Sequence, residues 1–238
     1  MAGAPRLGGN RMTDPRVAHE YTEALRAMGR TAENRAERHD ISREREEEFA
    51  VESHRKAEAA RPAGSLSSEI VAIETEGELV EEDGCFRPDT DAETLAGLRP
   101  AFDENGTVTA GTASPLTDGV AFVLVCSEEF AEANNLTPLA RIRSIAVSGC
   151  DPEVMGIGPV EASRKALARA GMELDDIDII ELNEAFAAQS IAVIEELGID
   201  PAKVNLDGGA IALGHPLGAS GARIIGKAAQ LLQRNGAK

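Results

Sequence analysis

Two stretches of the chain carry residue types whose spacing could do chemistry. The first reads Leu182-Asn183-Glu184-Ala185-Phe186, where an apolar run ends and a helical pattern begins. Phe186, Ser190, Val193, Ile194 and Leu197 form the inward stripe of that helix. Asn183 stands where an N-cap belongs, and its side-chain oxygen could satisfy an orphan N–H of the first turn. In open α/β sheets ligands bind outside the carboxyl ends of strands, so the same position also presents a functional amide. Both readings stand on the residues alone. The second stretch runs from Asp207 to Gly221 as DGGAIALGHPLGASG. Its glycines let the backbone turn sharply and approach another group closely. His215 is held between Gly214 and Pro216, whose ring restricts the preceding residue to extended backbone. An imidazole pinned in this way suits a general base or an oxyanion donor, and it equally suits a structural role. The stretch is neither a GxxxxGK[ST] loop nor a strand-borne GxGxxG, so nucleotide binding is not the natural inference.

Other chemistries are excluded. The His residues, His19, His39, His54 and His215, show no HxxxH or HExxH spacing and have no Cys neighbour, so no metal is expected. Cys85, Cys126 and Cys150 form no CxxC pair and no disulfide framework, which points to a reducing cytoplasm. With 238 residues, 42% of them hydrophobic, the chain can bury a core. Its formal net charge of −17 repels nucleic acid phosphates and anionic membranes, so neither is expected as a partner. No apolar run nears the roughly 20 residues of a membrane span, and the opening MAGAPRLGGNRM is not signal-like. The acidity and the excess of Arg over Lys fit a salt-adapted cytoplasm or GC-rich coding equally well.

Several elements must position these residues. Val17, Tyr21, Ala24, Leu25 and Met28 make an amphipathic stripe ended by Gly29. Ser42 should cap a charged helix to about Ala60 that buries Phe49, Ser53, Ala57 and Ala60 and leaves the run Glu44–Glu48 in solvent. A short strand at Glu69–Ile73 and a helix at Glu93–Leu98 follow. Val120–Cys126 has the continuous apolar look of a strand buried on both faces. Strands near Ala140–Ser148, Ile177–Leu182 and Lys203–Leu206 then alternate with helices at Ser163–Ala170, Ala185–Leu197 and from Ser220. That alternation argues an α/β sheet with covered faces.

Six strings are specific in combination: MGRTAEN (28–34), ISREREEEFAVESHRKA (41–57), LRPAFDENGTVTAG (98–111), VMGIGP (154–159), ELNEAFAAQ (181–189) and NLDGGAIALGHPLGASGAR (205–223). In this order they resemble the thiolase family, whose members cleave a 3-ketoacyl-CoA with free CoA or condense two acyl-CoA molecules. The resemblance implies a partial thiolase-like α/β fold. A loop-rich, CoA-facing α+β subdomain would span 1–115, and a strand and connector of the N-terminal half 116–137. A layered α/β C-terminal domain lacking its last strands would span 138–238.

By the same resemblance His215 activates a nucleophilic Cys and donates to the thioester oxygen, while Asn183 holds a water on the other side of an oxyanion site. Ser114 would contact the pantetheine arm. Met28, Arg87, Thr94 and Ala110 would line the CoA channel, with Met155 and Phe186 near the acyl pocket. CoA enters as a substrate and no cofactor is permanently bound. The family's nucleophilic Cys would lie upstream of Met1, and its second Cys, in a C-x-G motif, just after Lys238. Thr112 stands where the family usually has Asn, and Pro115 follows Ser114. The expected function is thiolase-type acyl transfer by a fragment or split-enzyme half, inactive alone. Its expected partners are acyl-CoA, CoA, and further copies of the chain or a complementing chain bearing the nucleophilic Cys. The alternative is a non-catalytic CoA- or lipid-binding module of the same ancestry.

Overall fold

The computed structural model describes residues 27–62 and 64–237. The stripe over Val17, Tyr21, Ala24 and Leu25 lies outside them. Helix α1 (Met28–Arg38) contains Gly29 in its first turn instead of ending there. The Phe102 ring packs so closely that a Cβ at Gly29 would overlap it, so this glycine serves a close approach and not a stop.

Helix α2 (Arg43–Ala60) starts as expected, with the Ser42 hydroxyl accepting from the Arg45 N–H at 3.4 Å. Its acidic run is not a solvated face. Glu46 and Glu47 are buried because this side of α2 is covered by the 107–112 segment and its own first turn. Thr107 donates to Glu46 at 2.6 Å, and Arg43 donates to Glu47 at 2.7 Å. Ala50, Ser53, Ala57 and Ala60 continue the buried stripe, with Phe49 half-buried beside them.

Strands β1 (Ile73–Thr75) and β2 (Glu78–Val80) form an antiparallel hairpin in which Ile73 faces Val80. Glu76 and Gly77, both at positive φ, make its turn. The strand expected at Glu69–Ile73 therefore begins at its last residue. Helix α3 (Ala92–Ala96) is capped by Asp91, and α4 (Glu128–Ala133) by Ser127.

The remaining expected strands are extended but form no ladder. Among the described residues, the 177–182 and 203–206 segments meet at one parallel bridge, Ile180 to Val204. Val120–Cys126, expected to be buried on both faces, faces solvent, with Phe122 91% exposed. Ile145 and Val147 in the 140–148 segment are exposed too. A ladder needs a neighbour about 4.8 Å away along the hydrogen-bond direction, and none of the described residues supplies one here. The 140–148 segment is instead fastened by the Ser144 hydroxyl to the Ala166 carbonyl of α5 (Gly158–Ala170) at 2.7 Å.

Helix α6 (Ala187–Leu197) is the hub of the core, buried from Ala187 through Ile194. Ala188, Ile191 and Ala192 pack on Ala32, Ala36 and Ile41; Ala187 packs with Ala50, Leu95 and Ile211; Ile194 packs with Ile199 and Val204. Burying a Val, Leu or Ile side chain contributes about 1.5–3 kcal/mol, and an Ala methyl about 0.8 kcal/mol. Gly171 and Gly198 close α5 and α6 in left-handed conformation, as expected. Two helices complete the fold, the one-turn α7 (Ala210–Leu213) and α8 (Ser220–Asn235). No helix among the described residues is long and apolar enough to cross a membrane.

Glu46 has a pH signature. Burial pushes its carboxyl up to about 7 despite hydrogen bonds from Thr107 and Thr112. A raised folded-state pKa means that ionisation destabilises the fold. The penalty is absent below the unfolded value of about 4.5 and complete above about 7. Each unit corresponds to about 1.4 kcal/mol. Glu46→Gln should match the parent near pH 4.5 and exceed its stability by about 2–3 kcal/mol at pH 8, read from urea unfolding at both pH values.

Candidate active site

Asn183 and His215 come from distant parts of the sequence and meet side chain to side chain. The extended segment carrying Leu182 ends at Asn183, and the chain turns through Glu184 and Ala185 before α6. The N-cap of α6 is Phe186, in extended conformation and without a side-chain cap bond. Asn183 is therefore not the helix cap; the first turn is satisfied elsewhere. The Ala187 N–H donates to the Thr112 carbonyl at 2.8 Å, and Ala113 bridges Phe186 antiparallel. This pairing leaves the Asn183 side chain free to reach His215, its Nδ2 lying 3.4 Å from His215 Nε2. Asn183 Oδ1 is buried without a hydrogen-bond partner among the described residues.

His215 is placed by the turn after α7. Gly214 adopts φ 96°, open to glycine and strained for other residues, and Thr117 and Cys85 occupy the space a Cβ would need. The His215 N–H donates to Thr117 Oγ1 at 3.4 Å. Its Nδ1 lies 2.6 Å from Ser220 Oγ, which is also 3.2 Å from the Pro216 carbonyl. A carbonyl only accepts, so the Ser220 proton goes to Pro216. Ser220 then accepts from Nδ1–H, and the Nε2 lone pair is directed to the Asn183 amide. Burial, and after it the Arg223 charge, lowers the His215 pKa, which favours the neutral imidazole.

Two further sequence-predicted residues lie at the turn between Asn183 and α6. Ser114 lies against the same turn, its N–H and hydroxyl both donating to the Ala185 carbonyl, at 3.0 and 3.2 Å. The Phe186 ring, half-buried on the α1–α6 cluster, meets Phe102 edge to face at 5.7 Å. The others lie outside the hydrogen-bonded centre. Met28 at the start of α1 and Met155 in the 3-10 turn Pro152–Ile157 are each 46% exposed. Arg87, Thr94 and Ala110 are exposed, Thr94 being engaged with the Asp91 cap. No hydrogen bond joins these five to Asn183 or His215. Sequence reasoning missed Thr117, Ser220 and Cys85 at the His215 turn. Only Ser220 left a signal, five residues beyond the histidine. Cys85 comes from a loop with no pattern of its own.

Comparisons with known proteins identify the family of the chain. In fold the chain is similar to an acetyl-CoA acetyltransferase of Bacillus anthracis (TM-score 0.85, 46% identity, 89% of this chain and 55% of that one). It is also similar to human mitochondrial 3-ketoacyl-CoA thiolase in complex with CoA (TM-score 0.84, 47% identity, 89% and 53%). The family model described as thiolase, N-terminal domain matches residues 9–129, and thiolase, C-terminal domain matches 136–238. The chain belongs to the thiolase family. It is 50% identical to the 3-ketoacyl-CoA thiolase of Marinobacter nauticus over 100% of its own length and 64% of that protein's. It is 53% identical to that of Hahella chejuensis over 89% and 56%. The chain thus spans less than two thirds of the relatives it matches.

The His215 environment can be read by NMR titration of histidine-labelled protein. The midpoint should lie below 6.5, with Nδ1 protonated in the neutral form. Arg223→Gln should move it upward, and Ser220→Ala should mix the two tautomers. A midpoint unmoved by Arg223→Gln would contradict the electrostatic account.

Proposed function

We propose that the chain supplies the imidazole-and-amide side of a thiolase active site. The reaction is thiolytic cleavage of a 3-ketoacyl-CoA by CoA, or the reverse condensation of two acyl-CoA molecules. The observation that carries this reading is the Asn183–His215 contact, made by a neutral imidazole whose Nδ1 proton is engaged by Ser220. Such a ring can take the proton of a thiol at Nε2, giving a thiolate nucleophile. As imidazolium it then donates that proton as a hydrogen bond to a thioester oxygen as negative charge develops there. Asn183 would stabilise the same oxygen from the other side, through a water on its unpaired Oδ1. Ser114 and the exposed Met28, Arg87, Thr94 and Ala110 would receive the CoA arm, and Met155 and Phe186 would border the acyl group.

The nucleophilic thiol comes from a segment outside these 238 residues, brought by a complementing polypeptide or by further sequence of the same protein. Cys126 and Cys150 are exposed, and Cys150 Sγ donates to the Met155 carbonyl at 3.6 Å. Cys85 touches the His215 turn through Thr117 Oγ1 at 3.6 Å and not through the imidazole.

The test is turnover of acetoacetyl-CoA with CoA. It would be assayed on the 238-residue chain alone and after mixing with the part of the Marinobacter nauticus relative that this chain does not match. Turnover should appear in the mixture only. His215→Ala should lower it by about 10²–10⁴-fold and Asn183→Ala by about 10²–10³-fold. Turnover by the chain alone would overturn the need for a complementing thiol. CoA binding by calorimetry with no turnover in any mixture would favour a non-catalytic CoA-binding module.

A further inference from the structure

Glu184 sits beside Asn183 in sequence and is 2% exposed. A carboxylate with so little water contact requires donors, and the fold supplies three from separate elements. Ser53 of α2 donates to Oε2 at 2.7 Å, Ile211 N–H of α7 donates to Oε2 at 3.1 Å, and Asn205 Nδ2 donates to Oε1 at 2.7 Å. Ser53 Oγ in turn accepts from the Gly209 N–H at 3.1 Å, which commits its own proton to Glu184. The second proton of the Asn205 amide goes to the Leu182 carbonyl at 2.8 Å, and its oxygen accepts from the Leu182 N–H at 2.8 Å. Each oxygen of the carboxylate therefore faces a fixed donor, the Ile211 N–H at Oε2 and the oriented Asn205 amide at Oε1.

These bonds have a common geometry. Gly209 is the N-cap of α7 and has no side chain to accept from the first turn, so Glu184 performs that task across the fold. A Cβ at Gly209 would overlap the Glu184 carboxyl, which explains the glycine there. The α7 turn that Glu184 holds ends one residue before Gly214, and His215 follows. At its other end Glu184 is joined by one peptide bond to Asn183.

We propose that Glu184 is a positioning residue for the Asn183–His215 pair, its buried carboxylate locking the turn that carries the amide to the loop that carries the imidazole. The proposal rests on the reading of that pair as catalytic. Glutamine cannot replace Glu184 here, because its NH2 would face a donor in either orientation. A cavity of about 220 Å³ lined by Phe49, Ser53, Lys56, Glu184, Ile194 and Val204 leaves a displaced side chain room to swing away.

The experiment uses the full chain with Glu184→Gln and, as a milder variant that removes one donor, Ser53→Ala. Cooperative urea unfolding checks the fold. The readout is the nuclear Overhauser contact between the Asn183 side-chain amide and the His215 ring, together with hydrogen exchange at the Ile211 amide. Both variants should lose that contact, and Ile211 should exchange at least tenfold faster. A contact that persists in a folded Glu184→Gln overturns the proposal; where that variant does not fold, persistence in Ser53→Ala overturns it. In the complemented mixture that turns over acetoacetyl-CoA, kcat should fall at least tenfold while the KM for CoA stays within twofold, and an unchanged kcat overturns the proposal. If the unsubstituted mixture shows no turnover, the reading of the pair fails, and the contact and exchange data still decide the role of Glu184.

Discussion

A carboxyl placed almost out of reach of water dictates what surrounds it: burial raises the Glu184 pKa, hydrogen bonds from Ser53, Asn205 and Ile211 oppose that rise, and the centre of this molecule is arranged around the group. The requirement reaches well beyond the atoms that touch it. Gly208, at φ 84°, lies where a Cβ would run into Ala57 and the Ser53 carbonyl, so α2 and the glycine loop can close on each other only with small residues on both sides. Asn205 is held at φ 47°, a conformation that Asn tolerates better than most residues. From there its amide pairs with both backbone groups of Leu182 and so acts as one more residue of a strand. Three elements far apart in sequence are thereby fixed in register by side-chain hydrogen bonds in place of a continuous sheet.

A second polar cluster serves α8. Asp207 accepts two bonds from Arg234, at 2.7 and 2.8 Å, and one from Lys227 at 3.1 Å; Lys227 also reaches Glu69 at 2.7 Å. Burial alone would push the Asp207 carboxyl up, but Arg234 and Lys227 pull it below the usual carboxylate range. Buried pairs of this kind contribute little net stability compared with apolar packing, yet removing one partner strands the other. Their effect is to specify orientation. They tie α8 to Asp207 in the glycine loop and to Glu69, and the first residue of that helix, Ser220, lies 2.6 Å from His215 Nδ1.

The helices were legible in the sequence because their signals are local. Ser42 marks the start of α2, and Gly171 and Gly198 end α5 and α6, each by a mechanism that acts within one turn. Gly29 was misread because the reason for a glycine there is a tertiary one, the Phe102 ring. Glu46 and Glu47 were misread for the same reason, since a charge run looks solvated until something is packed on it. The strands were legible as extended, apolar segments but not as ladders, because a ladder belongs to two segments and a one-dimensional pattern describes only one. At the site, the two motifs pointed to Asn183 and His215, and the family resemblance pointed to Ser114. They could not give Ser53 or Asn205, which act on Glu184 across 131 and 21 residues of chain. Nor could they place the cap of α6 at Phe186, which depends on pairing with Ala113.

The solvent-facing extended segments have a consequence for behaviour in concentrated solution. Val120, Phe122, Leu124 and Val125, with Ile145 and Val147, present apolar side chains next to backbone that no described neighbour pairs. Such a surface adheres to another of its kind. The force holding two chains apart is their shared negative charge, −17 on each. That repulsion reaches about 10 Å at 0.1 M salt and only about 3 Å at 1 M. For these 238 residues by themselves, added salt thins the electrostatic barrier faster than it weakens the apolar attraction and so favours contact between copies; where further sequence covers this face, the same attraction acts inside the molecule.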